Sequence, residues 1–282
     1  MANSKFSNQF SVRGKDLVLS SPKIMGILNA TPDSFSDGGK FNQTDEALNR
    51  IGRMISEGAA IIDIGGESTR PGAEPVSEEE EIDRVIPIIE KAVKQFPDTF
   101  FSIDTTKYKV AREALERGVH LVNDVSGLKE PLLAGLCAEY DAGYILMHTQ
   151  GNPETMQENP TYDEVTNDVY LFLKQKIALA EERELDTIII DPGIGFGKTL
   201  EHNRKLIADL DAFRSLGYPI MVGASRKSMI GDILKGRDVN GRLIGTIAVH
   251  YHAMLQGANI IRVHDVKEAH DSLMVYNVLT SV

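Results

Sequence analysis

A closed, parallel (β/α)8 TIM barrel preceded by a short N-terminal β-hairpin, an α/β fold, is what the 282-residue sequence predicts. Short apolar runs of strand length alternate with segments of helical spacing. The alternation repeats eight times, and each apolar run ends on a polar residue. One domain over residues 1–282 accommodates all eight units, with residues 1–22 capping the barrel as a hairpin. An open doubly wound sheet suits the same alternation and is the architectural alternative.

Residues 6–20 (FSNQFSVRGKDLVLS) carry two patches of alternation around Arg13 and Gly14, which predicts the hairpin, a lid on one end. The first buried strand is IMGIL at 24–28, and Asn29 opens a loop rich in Pro, Asp, Ser and Gly. Thr44 is the expected cap of a helix with Leu48, Ile51, Met54 and Ile55 on one face, stopped at Glu57-Gly58. A second strand, AIIDIGG at 60–66, exits into ESTRPGAEPV. Ser77 and Glu80 then offer a capping box to a helix with Ile82, Val85, Ile86, Ile89 and Val93. Further on, FFSID ends in Asp104, HLVND in Asn123 and Asp124, GYILM runs into His148, and TIIID ends in Asp191. PIMVGA leads to Ser225, Arg226 and Lys227, and ANIIRVHD carries Arg262 and His264. Helical spacing fills the gaps, as in Val165, Val169, Phe172, Leu173 and Ile177, or Leu206, Ile207, Leu210 and Phe213. Gly58, Gly118, Gly217 and Gly257 follow such helices where left-handed C-caps belong.

Composition narrows the function. The 30 basic and 41 acidic residues give a net charge of -11, a field that repels nucleic acid and anionic membranes, so neither is an expected partner. Cys137 is the only cysteine, which fits a reducing compartment. There is no apolar core of signal-peptide length at the N-terminus and no run of about 18 apolar residues, so a soluble cytoplasmic protein is expected.

In a barrel, Asn29, Glu67 to Arg70, Asp104, Asn123, His148, Asp191, Ser225 to Lys227 and Arg262 to Asp265 converge on one mouth. Arg70, Arg226, Lys227, Arg262 and His264 make that mouth basic and predict an anionic ligand. Asp104, Asn123 and Asp191 suit a planar heterocycle with several N–H donors. Ordinary readings compete. An Asp at a strand end is often a helix N-cap, most clearly in Asp104-Thr105-Thr106, and Arg70 and Arg262 also suit structural pairing with Asp63 or Asp265. The cysteine and nine methionines read as core, and His250 and His252 as packing or surface residues. DPGIGFGKT at 191–199 fails the Walker A spacing because Pro192 stands five before Gly197, and its glycines miss G-x-G-x-x-G. No two histidines have metal-ligand spacing, and no G-x-S-x-G occurs.

Eight strings in order, NATPDSFSDGG (29–39), GGESTRPGA (65–73), SIDT (102–105), ND (123–124), MHTQGNPETMQ (147–157), DPGIGFGK (191–198), GASRKSMIG (223–231) and RVHD (262–265), resemble the dihydropteroate synthase family of folate biosynthesis. The likeness spans nearly the whole chain. Ala30, Thr149 and Val125-Ser126 depart from the family's usual residues without touching a charged group. The resemblance implies a transferase that condenses 6-hydroxymethyl-7,8-dihydropterin diphosphate with 4-aminobenzoate, releasing diphosphate, by an SN1-like route with Mg2+ assisting departure. An arylamine is a weak nucleophile, so leaving-group and cation stabilisation matter most. It further implies Asn29 as the Mg2+ ligand, Arg262 and His264 as an anion pocket, and Asp104, Asn123, Asp191 and Lys227 around the pterin with Met147 as an apolar wall. Asp104 would stabilise the cationic ring. Ser68, Thr69, Arg70 and Pro71, with Phe35, Phe196 and Ser228, would form the 4-aminobenzoate site. A homodimer and a response to sulfonamides are implied too. Two other functions compete: a pterin-binding methyltransferase serving a corrinoid protein, which has no use for the anion pocket or for Mg2+ at Asn29, and an inactive pterin-binding scaffold.

Overall fold

The computed structural model describes residues 9–31, 39–68, 75–151, 156 and 158–281. Strands β1 (Gln9–Val12) and β2 (Lys15–Val18) form an antiparallel hairpin across Arg13-Gly14, both in the left-handed region at φ 52° and 74°. The eight apolar runs become β3 (Lys23–Asn29), β4 (Ile61–Gly65), β5 (Phe100–Asp104), β6 (Leu121–Asp124), β7 (Gly143–Met147), β8 (Ile188–Asp191), β9 (Met221–Val222) and β10 (Ile260–Val263). All are parallel, in the order β8-β7-β6-β5-β4-β3-β10-β9, and an Ile190–Ile220 bridge joins the two ends of that order. That bridge makes the sheet a barrel and removes the open-sheet alternative. β9 is shorter than PIMVGA suggested, since Pro219 has no N–H and its carbonyl instead accepts from Ile190 N at 2.9 Å.

A strand points alternate residues to opposite faces. In the bore this produces one apolar ring, Met25, Ile61, Phe100, Leu121, Ile145, Ile189, Met221 and Ile260, one residue from each strand and all buried together. Two residues further along most of these strands, on the same inner face, stand Asp63, Ser102, Asn123, Met147, Asp191, Gly223 and Arg262. The chemistry is stacked directly on an apolar floor. Outward residues such as Ile62, Ile64, Phe101, Ile103, Val122, Leu146, Ile190 and Ile261 pack against the helices in the larger core.

The hairpin seals the opposite end. Val12, Leu17 and Leu19 join the apolar ring, Arg13 Nη1 donates to Leu115 O at 2.7 Å, and Lys15 Nζ donates to Pro97 O at 2.7 Å.

The helices are α1 (Gly39–Ser56), α2 (Glu78–Gln95), α3 (Tyr108–Glu116), α4 (Leu132–Glu139), α5 (Val165–Glu181), α6 (Leu200–Ala208), α7 (Ser228–Ile233), α8 (Leu243–Leu255) and α9 (Val266–Thr280). Thr44 does not cap α1. The helix begins at Gly39, which places Thr44 more than a turn inside it, buried at the interface. Ser77 does cap α2 by accepting from Glu80 N at 3.2 Å, and four glutamates in the first turn suit the helix dipole. The reciprocal half of the expected box is replaced, because Glu80 pairs with Arg84 at 2.5 Å. Gly58, Gly118, Gly217 and Gly257 all lie in the left-handed region, at φ 105°, 96°, 82° and 100°, as helix stops require. Among the described residues no helix is long and apolar enough to cross a membrane.

Candidate active site

Period-2 alternation delivers the inner wall. Asp63, buried inside β4, accepts from Arg262 Nε at 2.6 Å and from Asn123 Nδ2 at 2.9 Å. Arg262 reaches the other way with Nη2 to Asp104 Oδ2 at 2.5 Å. One guanidinium is thus shared by two carboxylates in a fixed fork. Three acceptor atoms of this wall, Asp63 Oδ1, Asp104 Oδ1 and Asn123 Oδ1, are buried with no hydrogen-bond partner. Buried acceptors left unpaired are costly, and they are the stored capacity of a site awaiting donors.

The facing wall comes from the loop after β8 and the turn after β9. Asp191 Oδ1 accepts from Gly193 N at 2.7 Å. Lys227 Nζ donates to Ile194 O and sits 4.4 Å from the Phe196 ring centroid, a cation–π contact. Gly193 has no alternative here. Its φ is +70°, and a Cβ would stand 1.8 Å from His148 O. Asn123, Val125, Met147, Asp191, Phe196, Met221, Gly223, Lys227 and Arg262 line a cleft of about 250 Å³, open to solvent.

Burial is the main force on these groups. It raises the Asp104 carboxyl to about 7, with Arg262 opposing and Asp63 adding to the rise. It raises Asp191, which Lys227 opposes, and lowers Lys227 to about 8, which Asp191 opposes. Among the described residues, Asp63 and Asp104 share Arg262, and Asp191 faces the charges of Lys227 and Lys198. Of the basic groups expected at the mouth, Arg226 instead turns to a bidentate pair with Asp265, Arg262 is held between two acids, and Arg70 lies outside the described residues.

Of the sequence-predicted residues, Asn123, Met147, Asp191, Phe196, Lys227 and Arg262 come together on the cleft, with Asp104 bonded to it through Arg262. Asn29 is half-buried at the exit of β3, beside Gly65 in register, and Gly65 is in turn beside Asp104. Ser68 follows β4, half-buried, and Ser228 opens α7, exposed. His264 leaves the exit of β10 with its Nδ1 3.0 Å from Ser225 Oγ and is not among the residues lining the cleft. Phe35, Thr69, Arg70 and Pro71 lie outside the described residues. The N-cap reading of Asp104 fails, because α3 starts at Tyr108 with Lys107 as its cap. The pairing of Arg262 with Asp63 is real and forms part of the site. His148 is not in the mouth: it is buried with Nδ1 2.9 Å from Lys198 Nζ. Sequence reasoning missed Asp63 as a site residue, although an acid in the middle of AIIDIGG, in step with inward Ile61, was the available signal. His250, read as packing or surface, is a buried packing residue whose Nε2 accepts from Ala224 N at 3.0 Å in the turn before Lys227.

An eight-stranded barrel with an acceptor-lined, arginine-bridged mouth is the frame of an enzyme that handles a small N–H-rich ring. The sequence pattern of the family described as pterin binding enzyme matches residues 25–264, and the chain belongs to that family. Within it the chain stands with the dihydropteroate synthases. It is 48% identical over 265 residues to the dihydropteroate synthase of Escherichia coli K12, covering 93% of each chain, and 46% identical to that of Haemophilus influenzae, covering 93% and 95%. The barrel superposes on the Yersinia pestis dihydropteroate synthase with a sulfonamide drug complex (TM-score 0.91, 44% identity, 97% and 100% covered). It also matches the Xanthomonas albilineans enzyme with 4-aminobenzoic acid (0.91, 40%, 98% and 99%) and with 7,8-dihydropteroate (0.88, 38%, 97% and 99%).

Proposed function

We propose that the chain condenses 6-hydroxymethyl-7,8-dihydropterin diphosphate with 4-aminobenzoate to give 7,8-dihydropteroate and diphosphate, in the cytoplasm. The observation that carries this reading is the cleft lined by Asn123, Asp191, Lys227 and Arg262 with Met147 and Phe196, backed by unpartnered buried oxygens on Asp63, Asp104 and Asn123, a set of acceptors that suits the N–H edge of a pterin. Lys227, Asp191 and Phe196 close the opposite face. The pterin methylene C–O bond breaks with its electron pair leaving on diphosphate, and the arylamine nitrogen forms the new C–N bond to the same carbon. Charge appears on the ring as the C–O bond lengthens, and the carboxylates of the inner wall, Asp104 first, stabilise it. The arylammonium formed is acidic enough to lose its proton to water or to diphosphate, so no side-chain base is required.

Among the described residues no cluster of three His, Cys, Asp or Glu is placed to hold a metal. A hard cation that takes most of its ligands from substrate phosphate and water needs only a single oxygen from the protein, which the Asn29 amide at the mouth can supply. The donor set therefore fits Mg2+, held in part by Asn29, and when bound it neutralises charge on the departing diphosphate. His264 at the same rim, with Arg262, is read as the anion pocket. Ser68, Thr69, Arg70, Pro71, Phe35, Phe196 and Ser228 are read as the 4-aminobenzoate site, and hence as the place where sulfonamide analogues compete. A second copy of the chain is read as docking on the apolar outer face of α8 and α9, where Ile244, Leu255, Met274, Val275, Val278 and Leu279 are exposed.

The test is a coupled assay for inorganic diphosphate with both substrates and Mg2+. Release that requires both substrates and yields dihydropteroate supports the proposal. No release, or methyl transfer from a folate instead, overturns it.

A further inference from the structure

Behind the Phe196 wall, and not lining the cleft, sits Lys198, 3% exposed. Its Nζ lies 2.9 Å from each of His148 Nδ1, Gly193 O and Phe196 O, three hydrogen-bond contacts. Among the described residues no carboxylate pairs with it; burial pushes it well below the ordinary lysine value, and the charge of Asp191 opposes that fall. Burial, then the charge of Lys198, lowers His148 to about 2, so the imidazole is neutral and its tautomer sets which partner donates. The same loop is pinned from its other side by Asn203, 2% exposed, whose Oδ1 accepts from Gly195 N at 2.7 Å and whose Nδ2 donates to Thr199 O at 2.8 Å.

The segment these bonds hold carries the cleft's second wall. Gly193 N orients Asp191, Ile194 O receives Lys227 Nζ, and Phe196 lies under that ammonium. Three left-handed glycines at 193, 195 and 197 leave the loop little local reason to hold this path. A glycine-rich segment that must present side chains accurately needs bonds from outside it.

We propose that Lys198 is a positioning residue, a three-bond strut that fixes residues 191–198 so that Asp191 and Lys227 meet the heterocycle, without touching it. This rests on the pterin reading above. It predicts the larger effect on the deep substrate, because Asp191 and Lys227 lie on or against the held segment, and a smaller one on 4-aminobenzoate through Phe196, whose carbonyl the strut also holds.

The test uses Lys198→Met, which keeps most of the apolar stem and loses the amine, and Lys198→Gln, which keeps an N–H donor group. Steady-state kinetics are run with each substrate varied at saturating levels of the other, and folding is checked by thermal melts. For Lys198→Met the KM for pterin diphosphate should rise roughly 10- to 100-fold, the scale of a misplaced binding group, and that for 4-aminobenzoate several-fold less than this. Lys198→Gln should fall between wild type and Met, and it carries the test alone if the Met variant does not fold. A merely structural role would lower the active fraction, and so the apparent kcat, with both KM values unchanged. That result, or an unchanged pterin KM, overturns the proposal. Wild-type protein that releases no diphosphate overturns the pterin reading instead, so the two failures are distinct.

Discussion

At the scale of single residues, the site is built around one arginine held by two acids. Asp63 and Asp104 share Arg262, so ionising both leaves a net negative charge in a buried place. Replacing Asp104 by Asn removes the charge that faces the nascent cation, and kcat should fall roughly 100- to 1000-fold in single-turnover measurements. Near-normal turnover would take Asp104 out of the chemistry. The same variant should be more stable. Burial raises the folded-state pKa of Asp104 to about 7 from 3.8, so the native protein holds a proton that the unfolded chain releases. Stability from this group is complete below about pH 4 and is lost as pH rises towards 7. Asp104→Asn should therefore melt a few degrees above wild type near pH 8, with the gap narrowing as pH falls and closing near pH 4. In wild type, kcat/KM should rise through the Asp104 ionisation and fall as Lys227, lowered to about 8, loses its proton. Asn123, Asp191 and Arg262 were legible as polar strand residues, because alternation fixes which way a strand residue points; Met147 and Phe196 came only with the family resemblance. Asp63 was legible as a structural partner of Arg262 but not as part of the site, since it sits within an apolar run and its partners stand 60 and 199 positions away. His148 and Arg226 were misread for a related reason: beyond the last strand residue, no period dictates direction.

Among elements, the loop after β8 carries the sharpest constraint. Gly193→Ala forces a side chain into the left-handed region at a cost of roughly 1–3 kcal/mol, and the Cβ collides with the His148 carbonyl unless the loop moves. Urea denaturation should report the lost stability, and the pterin KM should rise with it. An unchanged midpoint would show that the loop has slack. Strands, helix stops and the hairpin were legible here, because apolar runs, turn glycines and helical spacing are local signals. The start of α1 was not. Thr44 has the chemistry of a cap, but a buried position on the packed face of a longer helix overrides it. α6 is capped by Thr199 with His202 in the reciprocal role, a variant the usual acidic pattern does not suggest.

For the molecule as a whole, the closed order of strands was readable from counting units, and the apolar ring beneath the mouth follows from alternation within each. The outer face was not readable, since exposed apolar side chains on α8 and α9 look in sequence like ordinary helix positions. If a second copy covers that face, Val278→Glu, at a side chain 76% exposed, should convert the particle seen by light scattering from twice the 31.0 kDa chain mass to that mass. Wild-type protein already at the single mass would remove the dimer from the reading.

The floor of the barrel also has a consequence for how the chain is made. Val12, Leu17 and Leu19 are translated well before their partners Ile189, Met221 and Ile260. Until those later residues emerge, the oily side of the hairpin has nothing complete to lie against, and β3 must likewise wait for β10. The plug therefore locks only after β10 has been made, and the nascent polypeptide carries an uncovered apolar hairpin until then.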